Sequence, residues 1–198
     1  MIEQEIHDNY IRLFEELTAI IEETYARIIR SEPDLFFKEN INFFAKSFLV
    51  SICVYLESYL KDIAFSHINS VNEKLSIAAV PHNLIHWHII HPKDIDKKDF
   101  RFENLRISIK KKDLDEHISG NPDRTAILFK RIGIDITVIE GFSDRRELIH
   151  SIVGKRNNVV HHNDDANDVS KGDLILYINT FVEYMELITQ LIKTENSR

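Results

Sequence analysis

The densest cluster of reactive side chains in this 198-residue sequence is Lys155-Arg156-Asn157-Asn158-Val159-Val160-His161-His162. An arginine offers a planar, permanently charged fork for a phosphate, and a histidine exchanges protons near neutral pH. Together the two suit phosphodiester cleavage, in which one group moves protons and the other holds the charge of the transition state. On a helix, Asn157 and His161 are four residues apart and share a face. Arg156 is five from His161, about 140° round the axis, close enough for its long side chain to swing towards the same groove. The same spacing also fits a plain basic helix end, where Arg and His favour the C-terminal dipole. Spacing alone leaves both readings open.

Histidine is abundant, with ten residues, and a second group lies in Pro81-His82-Asn83-Leu84-Ile85-His86-Trp87-His88-Ile89-Ile90-His91. If that segment is helical, His82 and His86 face the same way and both reach one metal. If it is extended, His86 and His88 do so instead. The two geometries exclude each other and no carboxylate lies inside the cluster, so an interface or polar packing is the expected role. No metal site and no cofactor are expected. The sequence lacks a Gly-rich phosphate loop, a dinucleotide fingerprint, a Gly-x-Ser-x-Gly elbow and a His-Glu-x-x-His motif. The single cysteine, Cys53, excludes a disulfide framework and lies in an apolar run, as a small buried hydrophobe would.

The formal net charge is -7, but it is unevenly spread. Residues 1–40 hold 4 Lys/Arg against 10 Asp/Glu, and residues 157–198 hold 3 against 7. The middle, 41–156, holds 18 against 15. Within it Lys93, Lys97, Lys98, Arg101, Arg106, Lys110, Lys111 and Lys112 face only Asp94, Asp96, Asp99 and Glu103. Local potential decides where a polyanion docks. Lys110, Lys111, Lys112 and Lys155 are candidate contacts to a phosphate backbone, with a merely solvated charged face as the plainer reading.

These side chains need helices to hold them. With 5 Gly, 4 Pro and 43% hydrophobic residues, the chain is globular and too poor in turn residues for an all-β fold. Apolar positions Ile6, Tyr10, Leu13, Leu17, Ile20, Thr24 and Ile28 mark a first helix, which Pro33 stops. Asp34 caps a second, with the stripe Ile41, Phe44, Phe48, Ile52, Tyr55, Tyr59, Ile63 and His67. A third runs from about Ser143, its expected cap, to His161, burying Leu148, Ile149, Ile152, Val153 and Val160. The fourth carries Leu174, Ile178, Phe181, Met185, Ile188 and Ile192 in one apolar seam. Residues 72–142 form a partly irregular insertion. Inside it Asn121-Pro122 opens a short helix that Gly133 ends, and 135–139 is a strand or extended loop. The expected fold is all-α: a single domain, a four-helix bundle with an insertion between its second and third long helices. The acidic N-terminus and the lack of an apolar run of roughly 18 residues predict a soluble cytoplasmic protein without a secretory signal or membrane span.

Arg156-Asn157-x-x-x-His161, after one amphipathic helix and before a long apolar one, resembles the Arg-x4-6-His signature of the HEPN superfamily. Tyr55-Leu56-Glu57-Ser58-Tyr59-Leu60-Lys61-Asp62-Ile63 is similar to the Glu-containing second helix of HEPN families in prokaryotic conflict systems, the MAE-type and RiboL-PSP-HEPN families among them. The resemblance covers three or four helices. It implies a homodimeric bundle that brings two Arg/His motifs into one cleft, and metal-independent endoribonuclease activity that leaves a 2′,3′-cyclic phosphate. It implies His161 as general acid/base, Arg156 as phosphate clamp, Asn157 as an orienting group and Glu57 in a supporting role, with His162 as a substitute for His161. Arg156 and His161 are both expected at a solvated cleft. RNA, and a cognate antitoxin or operon partner, are the implied partners of such a toxin or defence effector. Asn163 stands where a branch regulated by tyrosine modification has its Tyr, which puts that regulation in doubt here. The alternatives are a non-catalytic HEPN module that binds nucleotide or a partner protein, and a helical protein that binds metal through its 82–91 histidines.

Overall fold

The computed structural model describes residues 2–90, 96–162, 166 and 168–197. His91, Lys93, Asp94 and Asn163 lie outside these residues. Seven α-helices follow one another within the described residues: α1 (Ile2–Ile29), α2 (Leu35–Glu39), α3 (Ile41–Ala78), α4 (His82–Ile89), α5 (Pro122–Arg131), α6 (Phe142–His162) and α7 (Lys171–Ser197). Among the described residues there is no strand. Helices α1, α3 and α7 pack on one another, and α6 completes the bundle against α3 and α7. This is the all-α helical bundle the sequence leads one to expect.

The stripes are where the patterns put them, with instructive rotations. In α1 the buried positions are Glu3, His7, Tyr10, Phe14, Leu17, Ile21 and Thr24, a strict alternation of four and three. Ile20, expected inside, is exposed. Two polar residues turn the helix this way. Asn196 of α7 donates to Glu3 at 2.7 Å, and His7 Nε2 lies 3.0 Å from Glu186. Helix α7 buries all six expected residues. In α6 the interior takes Val159 rather than Val160, which is exposed.

Asp34 caps the short α2, accepting from the backbone N–H of Phe36 at 3.1 Å; a turn at Asn40 then separates α2 from α3. One expected helix is thus two. Ser143 lies inside the first turn of α6, because Gly141 makes the preceding turn at φ +81° and the helix opens at Phe142. Asn121 caps α5 as expected, and Gly133 follows that helix at φ +88°. The expected strand or extended loop at 135–139 is a 3-10 turn over Ile136–Val138, capped by Asp135. Of its β-branched residues Ile136 is fully buried, whereas Val138 is exposed.

Helix α3 is the axis of the molecule. It contains an 18-residue window of mean hydropathy 1.4, long and apolar enough to cross a membrane by composition. The apolar residues of its middle are core: Leu49, Ile52, Leu56, Tyr59, Leu60 and Ile63 are fully buried. Tyr59 donates to the Met185 carbonyl at 2.7 Å and meets Thr189 at 2.8 Å, so its hydroxyl is satisfied inside. The helix continues to Ala78, six residues past the expected start of the insertion. Leu114, Leu128, Phe129 and Ile136 of the insertion join the bundle's hydrophobic core.

Candidate active site

Helices α3 and α6 place Glu57 opposite Arg156, 99 residues further along the chain. Arg156 Nη2 donates to Glu57 Oε2 at 2.7 Å, and Nη1 donates to the side-chain oxygen of Asn157 at 3.0 Å. The other Glu57 oxygen accepts the backbone N–H of Gly120 at 3.2 Å. The guanidinium is therefore held from two sides, as a charge-assisted contact holds best. Sequence reasoning had set Arg156 in a solvated cleft; its side chain is only 17% exposed, and that of Glu57 25%. Nε of Arg156 is buried and unpartnered among the described residues. A guanidinium has five N–H donors, and two are used here, so donors remain for an incoming anion.

Gly120 was not among the residues the sequence singled out. A Cβ there would stand 3.1 Å from Val153 Cγ2 and 3.6 Å from Glu57 Oε1. The backbone thus comes near enough to bond the carboxylate because no side chain intervenes. The only sequence signal was Gly120 itself, the first glycine of the chain, just ahead of the α5 cap. Cys53, one turn before Glu57, is 1% exposed. Burial pushes its thiol up to about 12; Arg156 opposes that shift and Glu57 adds to it. It is a packed hydrophobe.

Helix α6 continues through His162, so Asn157 and His161 do share a face. His161 and His162 are both exposed and make no hydrogen bond or ion pair among the described residues. Within one chain, then, Glu57, Arg156 and Asn157 form one connected group, and the histidines lie further along α6, outside that network.

The candidate cations are placed elsewhere. Lys111 pairs with Asp62 at 2.5 Å, and Asp62 is five residues past Glu57, about 140° round α3. Lys110 and Lys112 flank it, exposed. Lys155 pairs with Asp168; that bond holds its ammonium above the usual lysine value and the Asp168 carboxyl below the usual carboxylate value. His82 and His86 do share a helical face on α4, with ring centroids 5.7 Å apart. No group of three or more His, Cys, Asp or Glu suited to a metal occurs among the described residues.

Comparison with known proteins fits this arrangement. The family model described as RiboL-PSP-HEPN matches residues 8–194. No curated protein and no solved structure gives a match. Because that match runs from α1 into α7 and takes in both Glu57 and the Arg156–His161 stretch, the chain belongs to the RiboL-PSP-HEPN family of the HEPN superfamily.

Proposed function

We propose that this chain is a metal-independent endoribonuclease, working as a toxin or defence effector through a dimeric Arg/His site. The observation that carries the reading is the Arg156 guanidinium, fixed by Glu57 and Asn157 on the helix that also bears an exposed His161. In the reaction the ribose 2′-OH attacks the adjacent phosphorus, and the bond from phosphorus to the 5′-oxygen breaks. The products are a 2′,3′-cyclic phosphate and a 5′-OH. Arg156 clamps the phosphate; Glu57 and Asn157 orient it. His161 moves the proton, with His162 as the substitute.

Attack needs a base and departure needs an acid, and a second copy of α6 supplies the second proton carrier. A twofold axis sets the same helix opposite itself. Exposed Val160 beside His161 supports such a contact. So do exposed Leu35 and Phe36 of α2 and Phe43 at the start of α3, where Asn42 accepts the backbone N–H of Ala166, just beyond α6. An operon-encoded antitoxin covering the same cleft belongs to this reading, as does a cytoplasmic setting.

The Glu57–Arg156 ion pair also favours a second reading, a non-catalytic HEPN binding module in which the arginine is structural. One experiment separates them. Purified protein is incubated with mixed-sequence RNA and excess chelator, and the product ends are mapped. Cyclic-phosphate ends support the nuclease; intact RNA supports the binding module.

A further inference from the structure

Beyond α3 the chain changes character. Helix α4 buries none of its residues. Segment 101–105 runs back along its start: His82 donates to the Glu103 carbonyl at 2.9 Å, Leu105 donates to the Val80 carbonyl at 2.7 Å, and Arg101 donates its backbone N–H to Asn83 at 2.7 Å. Asn72 of α3 clamps the base of this arm, exchanging both of its amide bonds with the backbone of Ile107. The arm is thus held as a unit and yet leaves large rings in solvent: Trp87 is 60% exposed, Phe100 46% and Phe102 94%.

Charge accompanies the rings. Up to the Ile107 clamp, residues 96–107 carry Lys97, Lys98, Arg101 and Arg106 against Asp96, Asp99 and Glu103, in a protein of net charge -7. Lys98 pairs with Asp96 at 3.3 Å, whereas Lys97, Arg101 and Arg106 form no ion pair among the described residues. An apolar face without cations would suit a protein partner. Rings interleaved with unpaired cations suit a strand of bases joined by phosphates, because every base has a face that stacks and every linkage a negative charge.

We propose that this arm docks single-stranded RNA, with bases stacked on Trp87, Phe100 and Phe102 and phosphates held by Lys97, Arg101 and Arg106. The proposal rests on the RNA reading above and extends it to substrate length. Twenty-one residues of α3, about 32 Å, separate Glu57 from Ala78. An RNA must therefore be several nucleotides long to touch the arm and the Arg156 site together.

Trp87 is the chain's only tryptophan, so its emission reports the arm alone. Wild-type protein is titrated with an oligouridine of about a dozen nucleotides whose 2′-hydroxyls are methylated, which blocks the proposed cleavage. Saturable quenching is expected, with an affinity that falls linearly in log salt at roughly 0.7 per phosphate held. Phe102→Ala should weaken binding about tenfold, within the range for one lost stack. Combined Lys97→Ala, Arg101→Ala and Arg106→Ala should flatten the salt slope by about 2. Oligouridine binding by anisotropy with unchanged Trp87 emission overturns the proposal. So does a complete failure to bind, or quenching that follows protein concentration without RNA, which would mark a contact between copies. With cleavable RNA, Phe102→Ala should raise KM for long substrates and leave kcat and short substrates unchanged. Cleavage with a silent Trp87 sinks the arm alone; quenching without cleavage sinks the nuclease alone.

Discussion

In the middle of α3, Leu56, Tyr59 and Leu60 are fully buried, and Glu57 reaches across to an arginine on α6. Nine residues past the end of that helix, Trp87 and its neighbours Leu84 and Ile89 lie in solvent. The two regions share the same ingredients, apolar bulk and charge, arranged in opposite ways. In the middle of the bundle the apolar residues are packed, and the Glu57 and Arg156 charges are paired and therefore oriented. In the arm the apolar residues are displayed and most of the cations are unpaired. Orientation is what a reacting phosphate needs, since catalytic groups act by being held in place before the reaction. Display is what recognition needs, since a ring already buried cannot stack on a base. Under the proposed function, chemistry belongs to the bundle and capture to the arm.

Replacing Arg156 should have the largest effect and separates the two regions most sharply. Arg156→Ala should lower RNA cleavage by at least a hundredfold, the scale for a lost electrostatic clamp. It should also cost about 1–2 kcal/mol of stability, because the half-buried Glu57 loses its charged partner, as denaturant unfolding would show. Arg156→Lys should remain impaired, since an ammonium cannot make both contacts.

Gly120→Leu tests whether the Glu57 carboxylate must stay where it is. The added side chain meets Val153 and Glu57. Overpacking should cost about 1–3 kcal/mol. The account expects kcat to fall further than the loss of folded protein explains, with KM for long RNA little changed. Equal losses in folded fraction and kcat would make Glu57 structural only.

Changes to the arm should be mild for the fold. Trp87→Ala and Phe102→Ala each remove an exposed ring and should shift stability by no more than about 0.5 kcal/mol, read from the midpoint of chemical unfolding. A larger loss would mean that the arm packs on the bundle.

The smallest effect concerns Cys53. With its thiol buried and raised to about 12, a thiol reagent at pH 8 should label it only after unfolding. Rapid labelling of native protein would show that the interior beside Glu57 opens.

Much of the bundle was legible because burial imposes a period. The α7 seam reads directly from Leu174 to Ile192, and the cap at Asn121 reads from its side chain. The α1 stripe holds at Tyr10, Leu17 and Thr24 and is one position off at Ile6, Leu13 and Ile20, since a hydrophobic count cannot anticipate that Glu3 and His7 point inward to partners on α7. For the site, Arg156, Asn157 and Glu57 could be named from motif and resemblance. Two things could not be read. One was the Gly120 bond to Glu57, which depends on a backbone approach between segments 63 residues apart. The other was the capture of Lys155 by Asp168 and of Lys111 by Asp62, since a run of lysines in sequence says nothing about which carboxylate folds beside each. The aromatic residues of the arm were passed over for a related reason. Trp87 and Phe102 look like core residues by composition and differ in lying mostly in solvent.

The central claim is that His161 moves the proton at a phosphate held by Arg156. Wild-type, His161→Ala and His162→Ala proteins, matched for unfolding midpoint and sedimentation, are compared for RNA cleavage in chelator with end mapping. His161 is exposed and makes no hydrogen bond or ion pair among the described residues, so its removal should leave the fold intact. The account predicts cyclic-phosphate ends from the wild type, cleavage at least a hundredfold slower in His161→Ala, and a much smaller loss in His162→Ala. Wild-type rates in the His161→Ala protein would contradict it.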